Sequence, residues 1–143
     1  MVLRPEAIRE RLLRLEEVIS HLEELRADRD AGGHLGFRDE WSIERGLQLG
    51  AEILFDVGNH ILSAHLGVIA RDYEDIIAQL AGMSVIPGAL REDLRGLGGF
   101  RNILVHGYLI LDEERVAEHL KAAPARFAAF AAAIREWLAR TLG

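Results

Sequence analysis

The chain has 143 residues, half of them hydrophobic and 28% charged, with a formal charge of −6 and no cysteine. That fits one domain, spanning 1–143, with apolar material for one core, and it excludes disulfides, thiolate zinc sites and cysteine nucleophiles. The acidic balance argues against a general phosphate-binding surface, so RNA would have to be met at a local cationic site, to which Arg91, Arg95 and Arg101 are candidates. No apolar run approaches the ~20 residues of a membrane span. The N-terminal MVLRPEAIRERL is charged from the start, without a signal core, which places the protein in the cytoplasm as an expectation.

The first helix is expected from about Arg4 to about Arg29, because Ile8, Leu12, Leu15, Ile19, Leu22 and Leu25 recur at steps of three and four. Pro5 suits the first turn, where its missing N–H costs nothing. Gly32 and Gly33 end the helix, and His34–Asp39 reads as a loop. A second helix follows from about Glu40 to Leu66, with Ile43, Leu47, Gly50, Leu54, Val57 and Ile61 on its apolar stripe. A third starts near Asp72, with Asp75 three later as a weak capping box, and stops at Gly82. Its Tyr73, Ile76, Ile77 and Leu80 are expected to face inward.

A fourth helix begins at Pro87 and carries Leu90, Leu94 and Leu97. Gly96, Gly98 and Gly99 then predict a break, or a place where another backbone comes very near. The last helical stretch starts behind Asp112 as N-cap, with Glu113 and Glu114 in the favourable first turn. Pro124 is expected to kink or divide it. Phe127, Phe130, Ile134, Trp137 and Leu138 form an apolar face, read as core or dimer interface. No segment shows strand alternation, and the fold expected is an all-α antiparallel bundle of four to six helices.

The chemistry concentrates in RNILVHGY. If this run is helical, Arg101 and Tyr108 lie within ~20° of each other, Asn102 and His106 within ~40°, and Arg101 and His106 ~140° apart. Arg offers a fixed fork of donors to phosphate oxygens. His exchanges protons near neutral pH. Asn can orient the imidazole or a ribose hydroxyl, and Tyr presents a hydroxyl to bind or be modified. Gly107 can release the helix end. The wide Arg–His angle is awkward for one phosphate, and a two-fold dimer would bring two motifs into one cleft. On spacing alone, a helix-end His is more often a cap or a partly buried polar residue than a catalyst.

On the second helix, Glu44, Gln48, Glu52, Asp56 and Asn59 share a polar face. Glu52, Asp56 and Asn59 are candidate cleft-lining residues, although a solvated or partner-facing surface is the preferred reading. Asp56 and His60, four apart, permit a metal pair, but no third ligand is evident and no metal is expected. Phe37 and Trp41 are candidate partner contacts.

RNILVHGY resembles the Arg–x4–His–x–Tyr signature of the HEPN superfamily, specifically of HepT-type toxins. SIERGLQLGAEILFDVGNHIL resembles that family's second helix. YEDIIAQLAGMSVIP and LREDLRGLGGFRNILVHGYLILDEERVAEHL resemble the rest of its core, so the likeness runs from about Trp41 to Leu120. Arg101 and His106 match the catalytic Arg and His, Asn102 the polar residue that often follows the Arg, and Tyr108 the motif Tyr. Gly107 stands where some members carry an acidic residue.

The resemblance implies a homodimeric, metal-independent ribonuclease without cofactor. It also implies a small nucleotidyltransferase (MNT-type) antitoxin that can silence the toxin by transferring AMP to Tyr108. The alternatives are a non-catalytic HEPN module that binds nucleotide or a nucleotidyltransferase, and a structural helical adaptor.

Overall fold

The computed structural model describes residues 2–32, 36–107 and 111–142. These form six helices and no strand: α1 (Pro5–Asp30), α2 (Phe37–Ala64), α3 (Tyr73–Gly82), α4 (Gly88–Leu94), α5 (Leu97–His106) and α6 (Glu113–Leu142). The expected antiparallel helical bundle is therefore built with the larger of the predicted helix numbers. None of the described helices is long and apolar enough to cross a membrane.

α2 is the hub, packing against α1, α3, α5 and α6. Its buried stripe, including Ile43, Leu47, Leu54, Val57 and Ile61, meets Ile8, Leu12, Leu15 and Leu22 of α1 and Phe127, Phe130 and Ile134 of α6 in one cluster. Helices of such length draw their stability mainly from burying one apolar face, at about 25 cal/mol per Å² removed from water. The aromatic face of α6 is thus core: Phe127, Phe130, Ile134, Trp137 and Leu138 are all buried.

Three boundaries differ from expectation. The loop read as His34–Asp39 is cut short, because α2 begins at Phe37, where the rings of Phe37 and Trp41 lie 4.7 Å apart one turn from each other. Asp39 and Glu40 then fall in the first turn, where the helix dipole favours them. Pro124 does not divide the last helix: α6 runs as one element through it, with Pro124 buried between Ala123 and Phe127. Burial of both flanks outweighs the one backbone hydrogen bond that proline removes. The fourth helix ends at Leu94, and Gly96, at φ 87°, makes the left-handed turn into α5.

Two cap predictions match the structure. Asp72 is the N-cap of α3, its carboxylate accepting the Asp75 N–H at 2.7 Å. The Asp112 carboxylate accepts the N–H of Glu114 at 3.0 Å.

Candidate functional site

α5 carries the motif, and its start is set by α3. The Gly96 N–H donates to the Glu74 carboxylate. At Gly98 the two helices approach so closely that a Cβ would stand 2.6 Å from Cβ of Tyr73. The close approach expected of the glycine cluster is therefore made at Gly98, and the break at Gly96. Leu97 and Phe100 are buried, and the Phe100 ring stacks on His119 of α6, centroids 3.5 Å apart and planes within 6°. Burial and the nearby Arg115 and Arg126 charges lower the His119 pKa from 6.5 to about 4. That imidazole is neutral at physiological pH and serves packing.

Arg101 follows directly. Its Nη2 donates to Glu52 Oε1 on α2 at 3.0 Å, and the same oxygen accepts Gln48 Nε2 at 3.1 Å. Its Nη1 reaches Asn102 Oδ1 at 3.3 Å. The guanidinium carbon stands 5.2 Å from the centroid of the Tyr73 ring, and that ring stacks on Phe55 with centroids 4.6 Å apart. The Arg101 side chain retains 19% of its exposure and that of Glu52 31%. Arg101 Nε is buried and has no hydrogen-bond partner among the described residues.

Glu52 is therefore not part of a merely solvated face; it is the counter-charge of the motif arginine. Asp56, one turn on, is exposed to one side. Desolvation raises its pKa, with Glu52 adding to the rise and Arg11 and Arg101 opposing it. Glu44 is raised by desolvation and by Glu40 and Glu113. Asn59 is exposed, and its backbone carbonyl accepts the Ser63 hydroxyl.

His106 is the last residue of α5 and is exposed, its imidazole without a hydrogen-bond partner among the described residues. Gly107 caps the helix, its N–H donating to the Ile103 carbonyl at 2.8 Å. The anticipated pairing of Asn102 with His106 is not formed, since the Asn102 side-chain Oδ1 accepts from Arg101 instead. Tyr108 lies outside the described residues. Of the other candidate cations, Arg95 is engaged by Glu92 at 2.9 Å and Arg91 is exposed.

No metal-competent group of three or more His, Asp or Glu occurs among the described residues. His60, half of the Asp56–His60 pair, uses Nε2 to accept the Arg4 backbone N–H at 3.1 Å. Phe37 and Trp41 are exposed.

Sequence reasoning undervalued Glu52 and missed Tyr73, Glu74 and His119 as supports of α5. Only the close glycine spacing signalled that another backbone would approach there.

No curated sequence matches the chain. Several solved structures share its fold. The YutE protein of Bacillus subtilis, a cytosolic protein of unknown function, superposes with a TM-score of 0.84 at 22% identity, over 100% of this chain and 96% of that one. The tri-AMPylated Shewanella oneidensis HEPN toxin, in complex with its MNT antitoxin, gives 0.79 at 24% identity, over 90% and 96%. A toxin–antitoxin complex with AMP-PNP gives 0.81 at 23% identity, over 92% and 98%. The family model of HepT-like ribonucleases matches residues 15–134, and the chain belongs to that family.

Proposed function

We propose that this chain is a toxin-type endoribonuclease that cleaves RNA without a metal ion, acting as a two-fold dimer in the cytoplasm. One observation carries the reading: α5 presents a guanidinium fixed by Glu52 and, at its far end, an exposed imidazole. Arg101 stabilises charge on the phosphoryl group in the transition state. His106 takes the proton from the attacking ribose 2′-hydroxyl or gives one to the leaving 5′-oxygen. A dimer supplies two imidazoles, one for each transfer. Asn102 steadies the guanidinium from the side. The residues 1–143 act as a single HEPN-like domain.

A nucleotidyltransferase of the MNT type is the partner, and Tyr108 the acceptor of its AMP. The neighbours that are toxin–antitoxin complexes support this reading at the level of fold. AMP on Tyr108 would bring a phosphate that competes for Arg101.

Purified wild type is expected to cleave RNA in excess EDTA, and His106→Ala to lose that activity while staying folded. An activity abolished by EDTA and restored by a divalent ion would overturn the metal-free mechanism. Co-expression with the partner should add AMP to wild type and not to Tyr108→Phe, as read by intact mass. An equal mass gain on both would remove Tyr108 as the control point. Light scattering is expected to give a dimer, and a monomer at high concentration would contradict the shared cleft.

A further inference from the structure

The first turn of α3 is locked from several sides. Asp72 caps it through the Asp75 N–H. Asp75, itself buried, accepts the Arg71 backbone N–H at 2.9 Å, and Arg71 and Gln79 side chains approach its other oxygen at 3.5 Å. The bonds from Arg71 hold its carboxyl below the usual range. Two residues inside it, Tyr73 and Glu74, touch α5 or its lead-in: Glu74 accepts the Gly96 N–H, and Tyr73 fills the gap left by Gly98. The Tyr73 ring thus meets both the buried Phe55 and the Arg101 guanidinium.

An arginine side chain has many rotamers, and fixing it before substrate arrives removes an ordering cost from the reaction. Glu52 alone offers one oxygen to one nitrogen. The ring adds a surface that restricts the guanidinium plane, through the attraction of a cation for an aromatic face. Glu52 and Asn102 occupy one N–H on each terminal nitrogen of Arg101. A guanidinium has five such donors, so each terminal nitrogen keeps a second N–H for a phosphate oxygen.

We propose that Tyr73 is a positioning residue for the cleavage reaction: its ring, braced by Phe55, holds the Arg101 guanidinium in the plane from which it pairs with the substrate phosphate. This rests on the ribonuclease reading above. Tyr73 acts through Arg101 and touches no substrate.

The test is a double-mutant cycle on the full chain, with RNA cleavage as the readout. Tyr73→Leu is expected to lower kcat/KM about tenfold, and Tyr73→Phe to restore most of that loss. On an Arg101→Ala background, Tyr73→Leu should cost nothing further. An equal loss on both backgrounds, or a Tyr73→Phe as impaired as Tyr73→Leu, overturns the proposal. The second arm needs no activity: the Arg101 Nε–H resonance should be displaced by the ring in wild type and Tyr73→Phe, and return toward that of an ordinary arginine in Tyr73→Leu. A resonance indifferent to Tyr73 overturns the contact itself. A wild type that cleaves no RNA overturns the catalytic role through the ribonuclease reading, and the resonance then separates that failure from a failure of the contact.

Discussion

The two halves of α5 are built in opposite ways. In the first, Arg101, at mid-helix, is gripped by Glu52, flanked by Asn102 and covered by Tyr73, directly after a buried Phe100. At its end, five residues on, His106 is exposed and the helix stops at once. The contrast matches what each group is proposed to do. A guanidinium that stabilises charge gains from a fixed position, because nothing need reorganise when the charge develops. An imidazole that moves protons needs open contact with the groups it serves. Bracing Arg101 uses long-range contacts from two other helices, whereas His106 depends on where its own helix stops.

The largest expected effect is at the exposed end. His106→Ala should lower the cleavage rate by roughly 10²–10⁴-fold and leave the unfolding free energy from urea denaturation within about 0.5 kcal/mol of wild type, as for other exposed positions. A large loss of stability in this variant would mean that the His106 end is structural after all. At the braced end, activity and stability should fall together. Glu52→Ala leaves a partly buried guanidinium without its carboxylate, which should cost on the order of 1–2 kcal/mol in denaturant unfolding. The same change should reduce kcat/KM by roughly tenfold as Arg101 loses its fixed position. A Glu52→Ala protein with normal stability and normal activity would dissolve the distinction between the two ends.

Much of this arrangement was legible in the sequence. The periodicity of Ile8, Leu12, Leu15 and Leu22 and the cap residues Asp72 and Asp112 are local signals, and the structure bears them out. The motif run drew attention to Arg101 and His106 through residue type and spacing. Its brace was not legible, because Glu52 and Tyr73 stand 49 and 28 positions before Arg101, and no periodicity encodes which residues on neighbouring helices meet. Gly98 was the exception: the glycine cluster betrayed a close approach without naming Tyr73 as the neighbour. Asn102 was paired with His106 by its four-residue spacing, yet bonds to Arg101, since a long guanidinium reaches its sequence neighbour more readily than an exposed imidazole is held. Pro124 fails to divide α6 for the complementary reason, a local rule outweighed by burial on both sides.

The smallest effect expected is one of pH, and its largest share acts beneath Arg101. His119 stacks on Phe100, the residue before Arg101, and borders the small cleft lined by Asp93, Arg95 and Arg126. Burial first, and then Arg115 and Arg126, bring its pKa from 6.5 to about 4. Above pH 6.5 neither the folded nor the unfolded chain protonates this ring, so its packing contributes fully. As the pH falls from 6.5 toward 4, the unfolded chain takes up a proton that the folded one resists, and stability declines; below 4 both carry it and the decline from this group ends. Because the ring is only partly buried, the loss between pH 7 and pH 5 should be about 1 kcal/mol. His60, lowered by burial and by Arg4 and Arg11, pulls in the same direction from the α1–α2 side. Glu44 and Asp56, whose values are raised, oppose it at lower pH. Replacing His119 by Phe keeps a stacking ring and removes the proton, leaving the slope set by the other shifted groups, His60 among them. Urea midpoints at pH 7 and pH 5 should therefore separate wild type from His119→Phe, with wild type losing more on acidification. Equal slopes in the two proteins would show that the Phe100–His119 stack carries no such cost.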